Sequence, residues 1–211
     1  MRRVKVKICG ITNLEDALIC SNYGAYALGF IFYEKSPRKI DLKEAYSILK
    51  EIPPFTLSVC VFVDPNLEEI EKVLSLCNFD ILQLHGKESL ELCEKIKHDF
   101  KKKIIKAIRI KDESSLKLIK EYEKVADYIL LDTYKKGYLG GTGETFNWNI
   151  ISEMKKNMIL SGGLNISNIE SAIEKLKPYA IDVSSGLEKF PGKKDKNKVK
   201  IFMEKVLSFK L

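Results

Sequence analysis

The stretch "VKVKICGIT", Val4 to Thr12, decides how the rest of the chain is read. Apolar and polar residues alternate from Val4 to Ile8, the two-residue period of a strand. A cysteine ends the run, a glycine follows at once, and Asn13, with Asp16 three residues on, reads as the N-cap of a helix. The unit is a strand that delivers a thiol to the mouth of a turn. A cysteine inside a strand is a small core residue, whereas one at the tip of a strand is placed to act as a reagent.

The same strand-then-helix unit recurs along the chain. "YALGFIF" precedes a helix from about Asp41, "LSVCVFV" one after Pro65-Asn66, and "ILQLH" one near Glu88. "IIKAIRI" precedes "DESSLKLIKEYEKV", and "YILLDT" precedes a Gly-rich loop and a helix near Trp148. "MILSGG" precedes "NISNIESAIEKL", and "AIDVSSG" precedes a lysine-rich final helix. The strands are short, near-continuous apolar runs, as a parallel sheet buried on both faces requires. Eight such units in 211 residues predict one α/β domain, a single (β/α)8 barrel over residues 1–211 with lean loops.

Composition narrows the class. Hydrophobic residues make up 45% and charged residues 31%, the balance of a soluble globular chain. The longest apolar runs, such as "ALGFIF", fall far short of the ~20 residues of a membrane span. No secretory pattern opens the chain, so the expected compartment is the cytoplasm. Five cysteines at wide spacings, with no CxxC pair, suggest neither a disulfide framework nor a zinc site. The net charge of +7 comes mostly from lysines interleaved with core-patterned residues. It reads as a solvated surface that also attracts a small anion, with nucleic-acid binding as the alternative.

In such a barrel the chemistry sits at the C-terminal ends of the strands. Those ends carry Cys9-Gly10, "YEKSPR", Asp64, "QLHG", Arg109, Asp132-Thr133, "SGG" from Ser161 and "DVSSG" from Asp182. Glycine and serine after strands seven and eight (Ser161, Gly162, Gly163, Ser184, Ser185, Gly186) fit a phosphate cradle built from close backbone N–H groups and hydroxyls. No nucleotide loop of the GxxxxGK[ST] kind occurs. Cys9 and Asp132, three strands apart around the ring, could face one another across the mouth as base and acid. By position alone Cys9 reads equally as a structural cysteine filling a gap. The start of the following helix is a candidate source of the field that would lower its pKa. Asp132 and Asp182 each follow an apolar run, where a carboxylate is costly without a partner or a role.

"KICGIT", "GFIFYEKSPR", "VFVDP", "LQLHG", "LLDT", "GGTGETFNW", "LSGGLN", "IDVSSGLE" and "FPGKKD" occur in this order over essentially the whole chain. Together they resemble the phosphoribosylanthranilate isomerases of tryptophan biosynthesis. The resemblance implies the barrel, an Amadori rearrangement without cofactor or metal, Cys9 as general base and Asp132 as general acid. It further implies that Arg38 holds the anthranilate carboxylate and that Asp182 orders the mouth, while His85 reads equally as a pocket-lining residue or as a structural turn histidine. A small phosphosugar–anthranilate substrate is then the partner of a monomer or homodimer, with no nucleic acid and no membrane. Asn147 stands where the family pattern carries Asp, and is expected to cap the next helix. Cys60 stands where Gly is usual, and is expected to add bulk inside the barrel. The runner-up is another phosphosugar barrel isomerase, a class that uses two aspartates; the cysteine after strand one argues against it.

Overall fold

The computed structural model describes residues 3–133, 145–151 and 157–209. Eight parallel strands close in sequence order into a barrel: β1 Lys5–Cys9, β2 Ala27–Ile31, β3 Leu57–Phe62, β4 Ile81–Leu84, β5 Lys103–Ile110, β6 Tyr128–Thr133, β7 Met158–Leu160 and β8 Ala180–Val183. Helices α1 Leu14–Asn22, α2 Leu42–Glu51, α3 Leu67–Leu76, α4 Leu90–Phe100, α5 Ser115–Tyr122, α6 Ile169–Leu176 and α7 Lys196–Ser208 form the outer layer. The expected (β/α)8 architecture is therefore present.

Local chemistry sets the helix starts. The side chains of Asn13, Asp41 and Asn66 accept from the backbone N–H groups of Asp16, Glu44 and Glu69. Asn66 and Glu69 complete a reciprocal capping box. Each such cap stabilises its helix by about 1 kcal/mol. In α7, Val199, Phe202, Met203 and Val206 are buried at helical spacing, which leaves the lysines between them on the solvent side.

Strand alternation divides the apolar residues between two layers. Cys9, Ala27, Val59, Val61, Ala107, Leu130 and Ile159 fill the narrow barrel interior. Ile8, Leu28, Phe30, Leu82 and Leu131 face outward into a larger core with Ile48, Ile70, Ile96, Ile173 and Phe202 of the helices. Each fully buried aliphatic or aromatic side chain of this layer contributes roughly 1.5–3 kcal/mol relative to exposure. Cys60 belongs to this outer layer, so it adds no bulk to the interior. The two-residue period turns Val59 and Val61 inward and Cys60 outward.

Two segments add detail to the sequence reading. Near Trp148, where a helix is expected, the described residues hold a 3-10 turn, Trp148–Ile150, and 152–156 lie outside the described residues; Asn147 caps the turn by accepting from the Asn149 N–H at 3.0 Å. The "GGTG" glycines, 140–143, lie outside the described residues. After β8 a small antiparallel ribbon appears, β9 Glu188–Phe190 and β10 Lys193–Lys194. It carries Glu188 and Lys194 back to the end of β1.

Candidate active site

Inward-facing positions of β1 are Lys5, Lys7 and Cys9, so the strand stacks an ammonium directly below the thiol. Lys7 Nζ donates to Asp182 Oδ1 of β8 at 2.8 Å, and both side chains are buried. Gly29 of β2 lies alongside: a Cβ there would stand 2.6 Å from Cys9 Sγ and 3.1 Å from Lys7 Cε. Absence of a side chain on β2 is what gives the thiol and the lysine their room.

Burial pushes the Cys9 thiol above its ordinary range, the Lys7 ammonium pulls it back, and Asp182 pushes it up again. Lys7 itself is held above its ordinary value: burial opposes its charge, but Asp182 and the neighbouring thiolate outweigh that cost. The expected source of the field, the next helix, is not adjacent, since α1 begins only at Leu14. The cation that acts on the thiol comes from within its own strand.

The Cys9 carbonyl is also anchored. Lys194 Nζ donates to it at 2.6 Å and Ser184 Oγ at 2.9 Å. Lys194 continues to Glu188 at 2.8 Å, and Glu188 accepts from Arg38 Nε and Nη2 at 2.9 and 2.8 Å. Burial alone would raise the Glu188 pKa, but Arg38 and Lys194 hold the carboxyl below its ordinary range. Gly10, at φ +79°, admits this arrangement: a Cβ would sit 2.8 Å from Arg38 Cδ. Arg38 thus lies over the mouth beside Cys9, with one edge of its guanidinium already engaged.

Across the barrel, Asp132 of β6 is buried. Its Oδ1 accepts from the Thr133 N–H at 2.8 Å, and its Oδ2 lies 3.0 Å from His85 Nε2. His85 Nδ1 lies 3.0 Å from Gln83 Nε2. The His85 carbonyl accepts from Arg109 Nη2 at 3.3 Å. A histidine at the end of β4 is thereby fixed on the carboxyl two strands away.

Gly162 follows β7 at φ +85°, and a Cβ there would press on Thr133 and stand 3.0 Å from Asp132 Oδ1. Ser161 is buried, and Asn165 and Asn168 both donate to the Gly163 carbonyl, at 3.0 and 2.9 Å. Ser185 opens a 3-10 turn, Ser185–Leu187, and a Cβ on Gly186 would press on the Leu164 carbonyl. The two glycine turns are therefore in contact. Ser184 spends its proton on Cys9, so its hydroxyl joins the base to the cradle and does not offer that proton to an anion.

A thiol with its own cation, a carboxyl gripped by an imidazole and two touching glycine turns share one end of the barrel. The family profile described as N-(5'phosphoribosyl)anthranilate (PRA) isomerase matches residues 6–205. The chain belongs to the phosphoribosylanthranilate isomerase family. An isomerase of this family from Pelobacter propionicus is 46% identical over 202 residues, covering 95% of this chain and 94% of that protein. The crystal structure of the Thermotoga maritima isomerase superposes with a TM-score of 0.88 at 45% identity, covering 96% and 98% of the two chains. A further structure of a phosphoribosylanthranilate isomerase, in complex with reduced 1-(o-carboxyphenylamino)-1-deoxyribulose 5-phosphate, superposes at 0.82 with 41% identity and the same coverages.

Within this isomerase fold, Lys7, Glu188 and Lys194 went unread in the sequence, and Gln83 was read only as part of the strand-four end, with no role. Lys7 and Gln83 were legible in principle. Each lies two residues before a singled-out rim residue on the same strand, so period 2 places it directly below. Glu188 and Lys194 depend on how the ribbon folds back, for which no local pattern exists. Among the described residues no cluster of His, Cys, Asp or Glu forms a metal site, and no helix is long and apolar enough to cross a membrane.

Proposed function

We propose that the chain catalyses the Amadori rearrangement of N-(5-phosphoribosyl)anthranilate to 1-(2-carboxyphenylamino)-1-deoxyribulose 5-phosphate, with Asp132 as acid and Cys9 as base. The observation that carries this assignment is the Lys7 ammonium packed with the Cys9 thiol at the mouth that also holds Asp132.

Protonated Asp132 gives its proton to the furanose ring oxygen. The anilinic nitrogen pushes its electron pair toward C1, the C1–O bond breaks, and a Schiff base forms. The Cys9 thiolate then removes the C2 proton, and its electrons flow toward the cationic nitrogen to give the enolamine. Protonation at C1 and loss of the C2 hydroxyl proton yield the ketone, so no redox partner is consumed. Lys7 stabilises the thiolate, and Asp182 fixes Lys7.

Arg38 pairs with the anthranilate carboxylate through the N–H groups that Glu188 leaves free. Ser161, Gly162, Gly163, Ser185 and Gly186 cradle the phosphate, with Ser184 tying that cradle to the base. His85 orients Asp132. The enzyme works as a monomer or homodimer in the cytoplasm on this small substrate, and its lysine-rich surface is a solvated face that binds no nucleic acid.

The test is a fluorescence assay with phosphoribosylanthranilate generated in situ. Cys9→Ala and Asp132→Asn are each expected to lower kcat by about 10²–10⁴-fold while the fold survives. Near-wild-type turnover in either variant refutes that residue's role.

A further inference from the structure

Gln83 is fully buried at the inward-facing position of β4 below His85. The only hydrogen bond its amide makes within the described residues is to the His85 imidazole; its Oε1 is buried with no partner. A buried orphan acceptor costs about 1–3 kcal/mol, and an apolar side chain of the same shape would avoid that cost. The residue therefore calls for a reason other than packing.

The reason lies in the order Gln83–His85–Asp132. Asp132 needs opposite things from His85 in its two states. As a carboxylate it accepts, so Nε2 must carry the imidazole proton, and Nδ1 then accepts from the Gln83 NH2 group. As an acid it donates, so Nε2 must present a lone pair, and Nδ1–H then needs an acceptor below it. An amide turned about its last bond supplies either: nitrogen for the first state, oxygen for the second. Because the amide has no other partner, turning it over disturbs no other bond. Passing from the first state to the second takes up one proton overall: Nδ1 gains it while the Nε2 proton moves to Asp132 Oδ2.

We propose that Gln83 is a positioning residue that keeps Asp132 supplied with its proton by turning its amide to match the His85 tautomer. The inference rests on the reading of Asp132 as the acid. The charged and titratable groups at the barrel mouth with this carboxyl include His85 on β4, Arg109 in register on β5, Lys7 and Cys9 on β1, Asp182 on β8, and the Arg38–Glu188–Lys194 group beside Cys9. Of these, His85 is the one in hydrogen-bond contact with Asp132.

The chain has two histidines, and His98 is exposed on α4, so the imidazole nitrogen resonances of His85 are readily assigned. In the wild type, both the Nε2–H and the Nδ1–H tautomers of His85 are expected in the imidazole nitrogen shifts, one opposite the carboxylate and one opposite the acid. In Gln83→Met, Nδ1 loses its donor in the first state and Nδ1–H its acceptor in the second; a buried orphan N–H is the costlier of the two, so the Nδ1–H tautomer should be less populated. The kcat should fall about tenfold with KM nearly unchanged, less than the ~10²–10⁴ expected on losing the acid itself. Thermal stability should change little, because the variant removes the orphan oxygen but takes the partner of Nδ1 with it. Unchanged tautomer populations in Gln83→Met, or wild-type kcat, overturn the inference. If Asp132→Asn keeps wild-type turnover, the acid assignment fails whatever Gln83 does; if only Gln83→Met is silent, this inference alone fails. Should Gln83→Met not fold, a wild-type His85 seen in a single tautomer is sufficient to refute it.

Discussion

Replacing Lys7 by methionine removes the cation packed with the Cys9 thiol and keeps the side-chain volume. At a contact distance of about 4 Å and an effective dielectric of about 20, that cation stabilises the thiolate by about 4 kcal/mol. Asp182 opposes it, and its influence on the sulfur is the weaker of the two. With about half of the 4 kcal/mol taken back, the pair as a whole favours the thiolate by about 2 kcal/mol, or roughly 30-fold in population. Lys7→Met also strands Asp182 as an unpaired buried anion, so its effect on the thiolate lies between roughly 30-fold and 10³-fold, the lower end holding if Asp182 takes up a proton. The single variant should further lose about 3–5 kcal/mol of stability, the cost of breaking a buried pair from one side.

The double variant Lys7→Met/Asp182→Asn separates these effects. With both charges gone, stability should recover, while the thiolate stays roughly 30-fold less populated than in the wild type at neutral pH. The direction with pH follows from the thiol. Its pKa is already raised, and loss of Lys7 raises it further, so kcat should climb to higher pH before levelling and the deficit should narrow in alkaline solution. Two assays check this: kcat against pH with substrate generated in situ, and the pH dependence of iodoacetamide alkylation, with Cys9→Ala as the background for the other cysteines. Wild-type kcat at neutral pH in the double variant, or an alkylation profile that does not move, would refute the claim that Lys7 sets the thiolate.

Further outcomes follow from the same geometry. Arg38→Ala should raise KM about ten- to a hundredfold with a smaller loss in kcat; a loss confined to kcat argues against carboxylate anchoring. Gly162→Ala should cost about 1–3 kcal/mol, because alanine is strained at φ +85° and its Cβ presses on Thr133 and Asp132; calorimetry measures the loss, and kcat should fall with it. Glu188 is held below its ordinary value, so the stability it contributes is present above the unfolded carboxylate pKa of 4.5 and is lost as pH falls through the folded value. Glu188→Gln should therefore destabilise the protein at pH 7, with a gap to wild type that shrinks below about pH 4.5 in urea titrations; a gap independent of pH contradicts the ion-pair account.

What could be read from the chain divides along a physical line. Hydrophobic period, caps and strand-end position are local, and they placed all eight strands, the helix starts at Asn13, Asp41 and Asn66, and the rim residues Cys9 and Asp132. Cys60 was misplaced although the rule that corrects it, alternation with Val59 and Val61, is also local. The partners that tune the site are another matter. Lys7 meets Asp182 across 175 positions, and Lys194 meets the Cys9 carbonyl across 185. Such contacts exist only because the barrel closes β8 onto β1.

That closure bears on the chemistry as well as on the fold. A thiol at the end of an isolated strand would be an ordinary one, with nothing to favour its anion. Parallel pairing of β1 with β8 brings Asp182 under it, Asp182 keeps Lys7 charged in a place where burial would strip its proton, and Lys7 in turn favours the thiolate. On the opposite wall the register of β4, β5 and β6 carries Asp132 to within reach of His85, and Gln83 stands below it. Each reacting group thus rests on a polar residue one layer deeper in the barrel, where neighbouring strands and not solvent set its protonation. A substitution in that deeper layer should change turnover more than substrate affinity, because the layer lies beneath the reacting groups and not in the path of the substrate.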